Sequence, residues 1–134
     1  MRKIKLIAPD PIPLISLTWS EGRIFDLWMI VHTLSGMALA CGIWLLPLPT
    51  TFDYPLVLVL LIAWEIYEIA AGLTEEVENL TLDIVFGLIG FSFVYEKMLT
   101  DASTGYAWAI GVAFLACNAL LNFLGWRAYR KRGK

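Results

Sequence analysis

His32, Glu65, Glu68 and Asp83 are the residues of this chain whose types and spacing could do chemistry. His32 is the only histidine in 134 residues, and all four lie in stretches otherwise apolar enough to cross a lipid bilayer. A charge at mid-membrane costs about 2.5 to 3.5 kcal/mol on insertion scales, so an ionisable side chain there usually marks a working site. Glu65 and Glu68 share a helical face, and one imidazole with two or three carboxylates suits a divalent ion such as Mn, Fe, Zn or Mg. The same groups could act as an acid/base pair, His32 with Glu65, completed by Glu68 and Asp83. Three carboxylates brought together in low dielectric cannot all stay ionised without compensation: one or more holds a proton, or a cation sits among them. No Lys or Arg is expected at that depth, which leaves His32 as the nearby cationic group. The plainer outcome is that these groups hydrogen-bond to one another and fix helix register.

The elements that must position them are read from composition. With 59% hydrophobic and 16% charged residues, the chain is too apolar for an ordinary soluble domain of its length. The expected fold is all-α: an integral membrane bundle of four transmembrane helices, residues 21–129, with an N-terminal interfacial arm, 1–20, and a basic cytoplasmic tail, 130–134. The first span, about 21–46, has Thr18-x-x-Glu21 as a capping box and Pro47 with Pro49 as a stop. The second, 55–72, starts at Pro55, and its 18 residues make about 27 Å of helix. Thr74 reads as N-cap of the third, 75–99, whose early Glu75, Glu76 and Glu78 suit the positive end of the helix dipole. The fourth covers 106–128, after the polar turn at 100–105.

Charge is segregated along the chain. Nine of the ten Lys and Arg residues fall in two terminal blocks, Arg2 to Arg23 and Arg127 to Lys134. Basic flanks favour the cytoplasmic side, and four crossings return the C-terminus to the side of the N-terminus, so both termini are expected in the cytoplasm and the protein in the cytoplasmic membrane. The tail Arg130-Lys131-Arg132 is expected to sit near anionic lipid; nothing else in the chain supports a nucleic-acid surface. Pro9, Pro11 and Pro13 interrupt the leading apolar stretch and argue for an arm at the interface, not a signal peptide. Cys41 and Cys117 match no metal spacing and are expected to be buried and inert. Aromatic residues mark the boundaries, Trp44, Phe52, Tyr54, Tyr106 and Trp108 outside, Trp19, Trp28, Trp126 and Tyr129 inside.

At a rise of about 1.5 Å per residue, His32 lies roughly 13 Å from an inner edge at Arg23, and Glu65 and Glu68 roughly 10 and 6 Å from one at Gly72. Asp83 lies about 6 Å beyond Asn79, and Asn122 and Asn118 about 6 and 12 Å beyond Trp126. All are expected in the cytoplasmic half, leaving the outer half nearly without polar groups. His32, Ser35, Gly36 and Leu39 share a face of the first span; Glu65, Glu68 and Gly72 form a stripe on the second; Glu76, Asn79, Asp83, Gly87 and Gly90 form one on the third. Gly36, Ala40, Gly87 and Gly90 are expected to serve close packing, while Ser35, Asn79, Asn118 and Asn122 support the cluster or hydrogen-bond across the bundle. Asp26 points away from His32.

The order Asp26 to His32, then Trp64-Glu65-Ile66-Tyr67-Glu68, then Asn79 to Asp83 followed by Gly87 and Gly90, resembles the VanZ-like and YjdF-like small polytopic membrane proteins over residues 25–92. Asn79 stands where YjdF-like chains tend to carry Asp, and Gly87 where VanZ-like chains tend to carry Asn. The resemblance implies a bacterial or phage cytoplasmic-membrane protein with a polar intramembrane site; it implies no agreed reaction.

Three functions compete. The first is a cytoplasm-facing polar pocket that binds a divalent cation or a lipid headgroup, with or without chemistry on a lipid-linked substrate. The second is a non-catalytic assembly subunit or holin-like oligomer, with itself or another membrane protein as partner, in which the polar residues hold helices together. The third is a proton- or ion-coupled transporter, for which four spans supply a pathway only as an oligomer.

Overall fold

The computed structural model describes residues 13–19, 25–71 and 77–132. Thr74, Glu75, Glu76, Gly72, Glu21 and Arg23, with their expected capping and stripe roles, lie outside the described residues. The fold is all-helical: α1, Leu27–Trp44; α2, Asp53–Ala71, entered through a 3₁₀ turn at Thr50–Phe52; α3, Val77–Phe93, continued by a π-helical turn, Val94–Met98; and α4, Thr104–Arg132. Three of these are long and apolar enough to cross a membrane: Leu27–Trp44, Val77–Met98 and Thr104–Ala128. Among the described residues, which on α2 stop short of the expected end at 72, this second expected span is not one of these three. Its 19 residues carry Asp53, Glu65 and Glu68.

α1 starts at Leu27, later than its expected start at 21, because Asp26 caps it. The buried carboxylate of Asp26 accepts from the backbone N–H of Trp28 at 2.9 Å and of Met29 at 3.2 Å, satisfying two donors that the first helical turn leaves open. Replacing it should matter more than an exposed cap would. Asp26→Ala is expected to cost about 1 to 2 kcal/mol, read as a lower midpoint of thermal unfolding in detergent, with Asp26→Asn recovering most of it. At the other terminus, the basic stretch from residue 130 is not a separate tail: α4 runs through it to Arg132.

α1 is the hub, packing chiefly on α3 and α4, with α2 more thinly set against α1 and α3. In a bilayer, lipid competes with apolar side chains on equal terms, so close backbone approach and hydrogen bonds must hold helices together. Both are present. A methyl placed on Gly36 would overlap the carbonyl of Gly87, and one on Gly90 the carbonyl of Thr33, so α1 and α3 touch backbone to backbone. α4 runs antiparallel to α1: Gly111 lies beside Cys41, Asn118 beside Val31 and Ser35, and Gly125 beside Trp28. The described part of the arm folds onto that last contact. Ser16 N–H donates to the Phe25 carbonyl at 2.8 Å, and the Trp19 ring packs edge-on to Trp28 at 5.2 Å.

Among the described residues α4 packs chiefly on α1, so most of its surface faces outward, and Cys117 is exposed, contrary to expectation; Cys41 is buried, and both thiols are free. The core cluster, including Ala40, Ile43, Val57, Leu61, Phe91 and Val94, occupies the half of the bundle away from the termini.

Candidate functional site

α2 and α3 form an antiparallel pair in which Leu61 faces Gly87. One turn along each helix toward the termini brings Glu65 and Asp83 to the same level, and His32, one turn before Gly36 on α1, enters between them. Its Nδ1 lies 3.6 Å from Glu65 Oε1 and its Nε2 3.7 Å from Asp83 Oδ2. The imidazole thus spans two carboxylates on two different helices, using both ring nitrogens. His32, Glu65 and Asp83 are all at least nineteen-twentieths buried, at 5%, 3% and 0% exposure.

Glu68 extends the cluster on the Glu65 side. One ligand atom each from His32, Glu65 and Glu68 can be chosen so that all lie within 4.8 Å of one another, a grouping able to hold a metal ion. Asp83 stands apart from that trio, against the opposite edge of the ring. Asn79 donates from Nδ2 to Asp83 Oδ2 at 3.3 Å, which fixes the carboxylate one turn along α3. The Asn79 side chain is buried, and among the described residues its Oδ1 accepts no hydrogen bond.

The cluster is closed on the side away from the termini. A Cβ at Gly87 would lie 2.8 Å from one Leu61 methyl and 3.0 Å from the other, and Gly36 abuts Gly87. Leu61, Gly87 and Gly36 therefore form a dry floor one turn beyond Glu65, Asp83 and His32. Glu68, half-buried, is on the open side. With α1 starting at Leu27, His32 is five residues in, about 7 to 8 Å along the helix.

The other expected members divide. Asn79 belongs to the cluster. Ser35, Asn118 and Asn122 lie on the α1–α4 seam: Asn118 Nδ2 donates to the Val31 carbonyl at 2.9 Å and to Ser35 Oγ at 2.7 Å, and Asn122 Nδ2 donates to Asn118 Oδ1 at 2.7 Å. Ser35 is a turn from His32 but rotated toward α4, so a shared face in the sequence becomes two different contacts. These amides tie α4 to α1.

The expectation of a nearly apolar outer half does not hold. Asp53, 3% exposed at the start of α2, accepts from the Tyr95 hydroxyl, and the Tyr54 hydroxyl donates to Glu96 with Ser92 Oγ 3.3 Å away. Phe91 stacks on Tyr95 at 5.1 Å and meets Tyr54 edge-on at 5.2 Å. This belt fastens the start of α2 to the π-helical end of α3. The available signal was antiparallel pairing: Asp53 and Tyr54 precede Leu61 about as far as Tyr95 and Ser92 follow Gly87.

No family model matches the chain, and neither a curated protein nor a solved structure matches it either.

Proposed function

We propose that this is a small multi-pass membrane protein whose His32, Glu65 and Glu68 bind a divalent metal ion at the end of the bundle that carries both termini. The grouping of one imidazole and two carboxylates within 4.8 Å carries the reading. Ligands about 2.1 Å from a tetrahedral metal lie about 3.4 Å apart, so the His32–Glu65 separation of 3.6 Å already fits, and small side-chain rotations would bring in Glu68. Glu65 and Glu68 balance a dication's charge, which leaves the Asp83 carboxylate to the His32 ring and the Asn79 amide. Asp83 supplies what metal-bound histidines usually have, a carboxylate on the other ring nitrogen that fixes the tautomer and orientation. The mixed nitrogen and oxygen donors favour Zn, Mn or Fe over Mg or Ca. A metal held by these three residues would supply Lewis-acid activation of water, the chemistry that hydrolysis of a lipid-linked substrate needs.

The basic flanks favour the cytoplasmic side for the termini, and on that reading the site opens there. The floor of Leu61, Gly87 and Gly36 argues against a transport pathway through the cluster.

Metal titration of the detergent-purified protein tests the reading. One equivalent of Zn or Mn per chain is expected, with calcium not competing, and Glu68→Gln should weaken binding by about 10-fold or more by removing one charged ligand. Failure of the wild-type chain to bind any of these ions overturns it. One observation favours a second reading, in which the cluster only holds helices together: α2 is thinly packed, and His32 joins its Glu65 to Asp83 of α3. On that reading Glu65→Gln lowers thermal stability with metal absent, and no ion protects the wild type.

A further inference from the structure

α4 continues past its apolar window, Thr104–Ala128, and at that boundary Phe123, Trp126, Arg127, Arg130 and Lys131 line a surface recess of about 350 Å³. Steps of three and four residues put these side chains on one stripe of the helix. The stripe is graded: Phe123 and Trp126 lie within the apolar window, and Arg130 and Lys131 lie beyond it. All five are exposed. Among the described residues, none of the three cations forms an ion pair with a carboxylate. Cations without a carboxylate partner among the described residues, beside a recess at the level where the hydrocarbon gives way to headgroups, are matched by one chemistry, a phosphodiester attached to an acyl chain.

We propose that this recess binds the headgroup of an anionic phospholipid from the leaflet at the termini, its phosphate held by Arg127, Arg130 and Lys131 and the top of its acyl chain lying along Phe123 and Trp126. The volume is at the small end for ligand pockets, right for a headgroup and too small for a whole lipid. Two guanidinium forks can take phosphate oxygens bidentately while the ammonium adds a point charge. Basic residues near a surface contribute attraction that accumulates with their number, and three together separate an anionic lipid from a zwitterionic one by tenfold or more. The inference is independent of the metal reading, since it uses none of its residues.

The experiment is native mass spectrometry of the full chain in mild detergent, supplied with phosphatidylglycerol or phosphatidylcholine of the same acyl chains. Retention of phosphatidylglycerol about tenfold above phosphatidylcholine is expected, reduced to parity in R127Q/R130Q/K131Q and unchanged in Lys97→Gln, whose charge lies at the opposite end of the bundle. Arg130→Gln alone, beyond the apolar window and safer for folding, should give an intermediate loss. Equal retention of the two lipids by the wild type, an unchanged preference in the triple variant, or displacement of the lipid by millimolar inorganic phosphate would each overturn the proposal, the last by assigning the recess to free phosphate.

Discussion

Gly36→Val should separate α1 from α3 and unfold the inner end of the bundle. Even the first methyl of a larger side chain at Gly36 meets the carbonyl of Gly87, and a backbone carbonyl within a helix cannot swing aside as a side chain can. Overpacking in a close-packed interior costs about 1 to 3 kcal/mol and more where backbone must move, so about 3 kcal/mol or more is expected here. Gly42 provides the control on the same helix, because nothing lies within 4 Å of a Cβ placed there. Gly42→Ala should be neutral or gain up to about 1 kcal/mol, since alanine favours helix over glycine. The measurement is the thermal unfolding midpoint in detergent, alongside the distance between spin labels on α1 and α3. Equal midpoints for Gly36→Val and Gly42→Ala would mean that the two helices do not meet where described.

The second large effect concerns His32 and the carboxylate behind it. His32→Ala should abolish metal binding outright, because it removes the only nitrogen ligand and leaves Glu65 and Glu68 facing each other. Asp83→Asn is the more informative change. It keeps side-chain volume and the neighbouring Asn79, yet replaces the acceptor 3.7 Å from Nε2 with a group that can present either a donor or an acceptor. Loss of such an orienting partner typically weakens metal affinity 10- to 100-fold, and that range is expected by titration, with stoichiometry unchanged. If Asp83 were only helix glue, affinity would not move while the unfolding midpoint fell.

How much of this was legible beforehand can be followed residue by residue. The all-helical bundle was, because long apolar runs broken by Pro47, Pro49 and the turn at 100–105 leave little else open to a chain that must satisfy its backbone in lipid. The meeting of His32, Glu65 and Asp83 was also inferable, from their depth and the alternation of helix direction. What sequence spacing could not supply was the direction in which each face looks. Ser35 and His32 are three residues apart, yet one addresses α4 and the other α2 and α3, because α1 is central and has neighbours on several sides. Asp26 was discounted as pointing elsewhere, when its work is done on the backbone of its own helix. Asp53 escaped notice because it adjoins a proline-led turn and its partner Tyr95 is 42 residues away.

The floor formed by Leu61, Gly87 and Gly36 makes the His32 cluster a well sunk from one face of the membrane. Were the hydrocarbon to begin at Leu27, an ion bound there would lie about 7 to 8 Å into a layer of about 30 Å, on the order of a quarter of its depth. On the metal reading, a dication held there would couple to the membrane potential by on the order of 1 kcal/mol per 100 mV and would exchange with the one compartment to which the well opens.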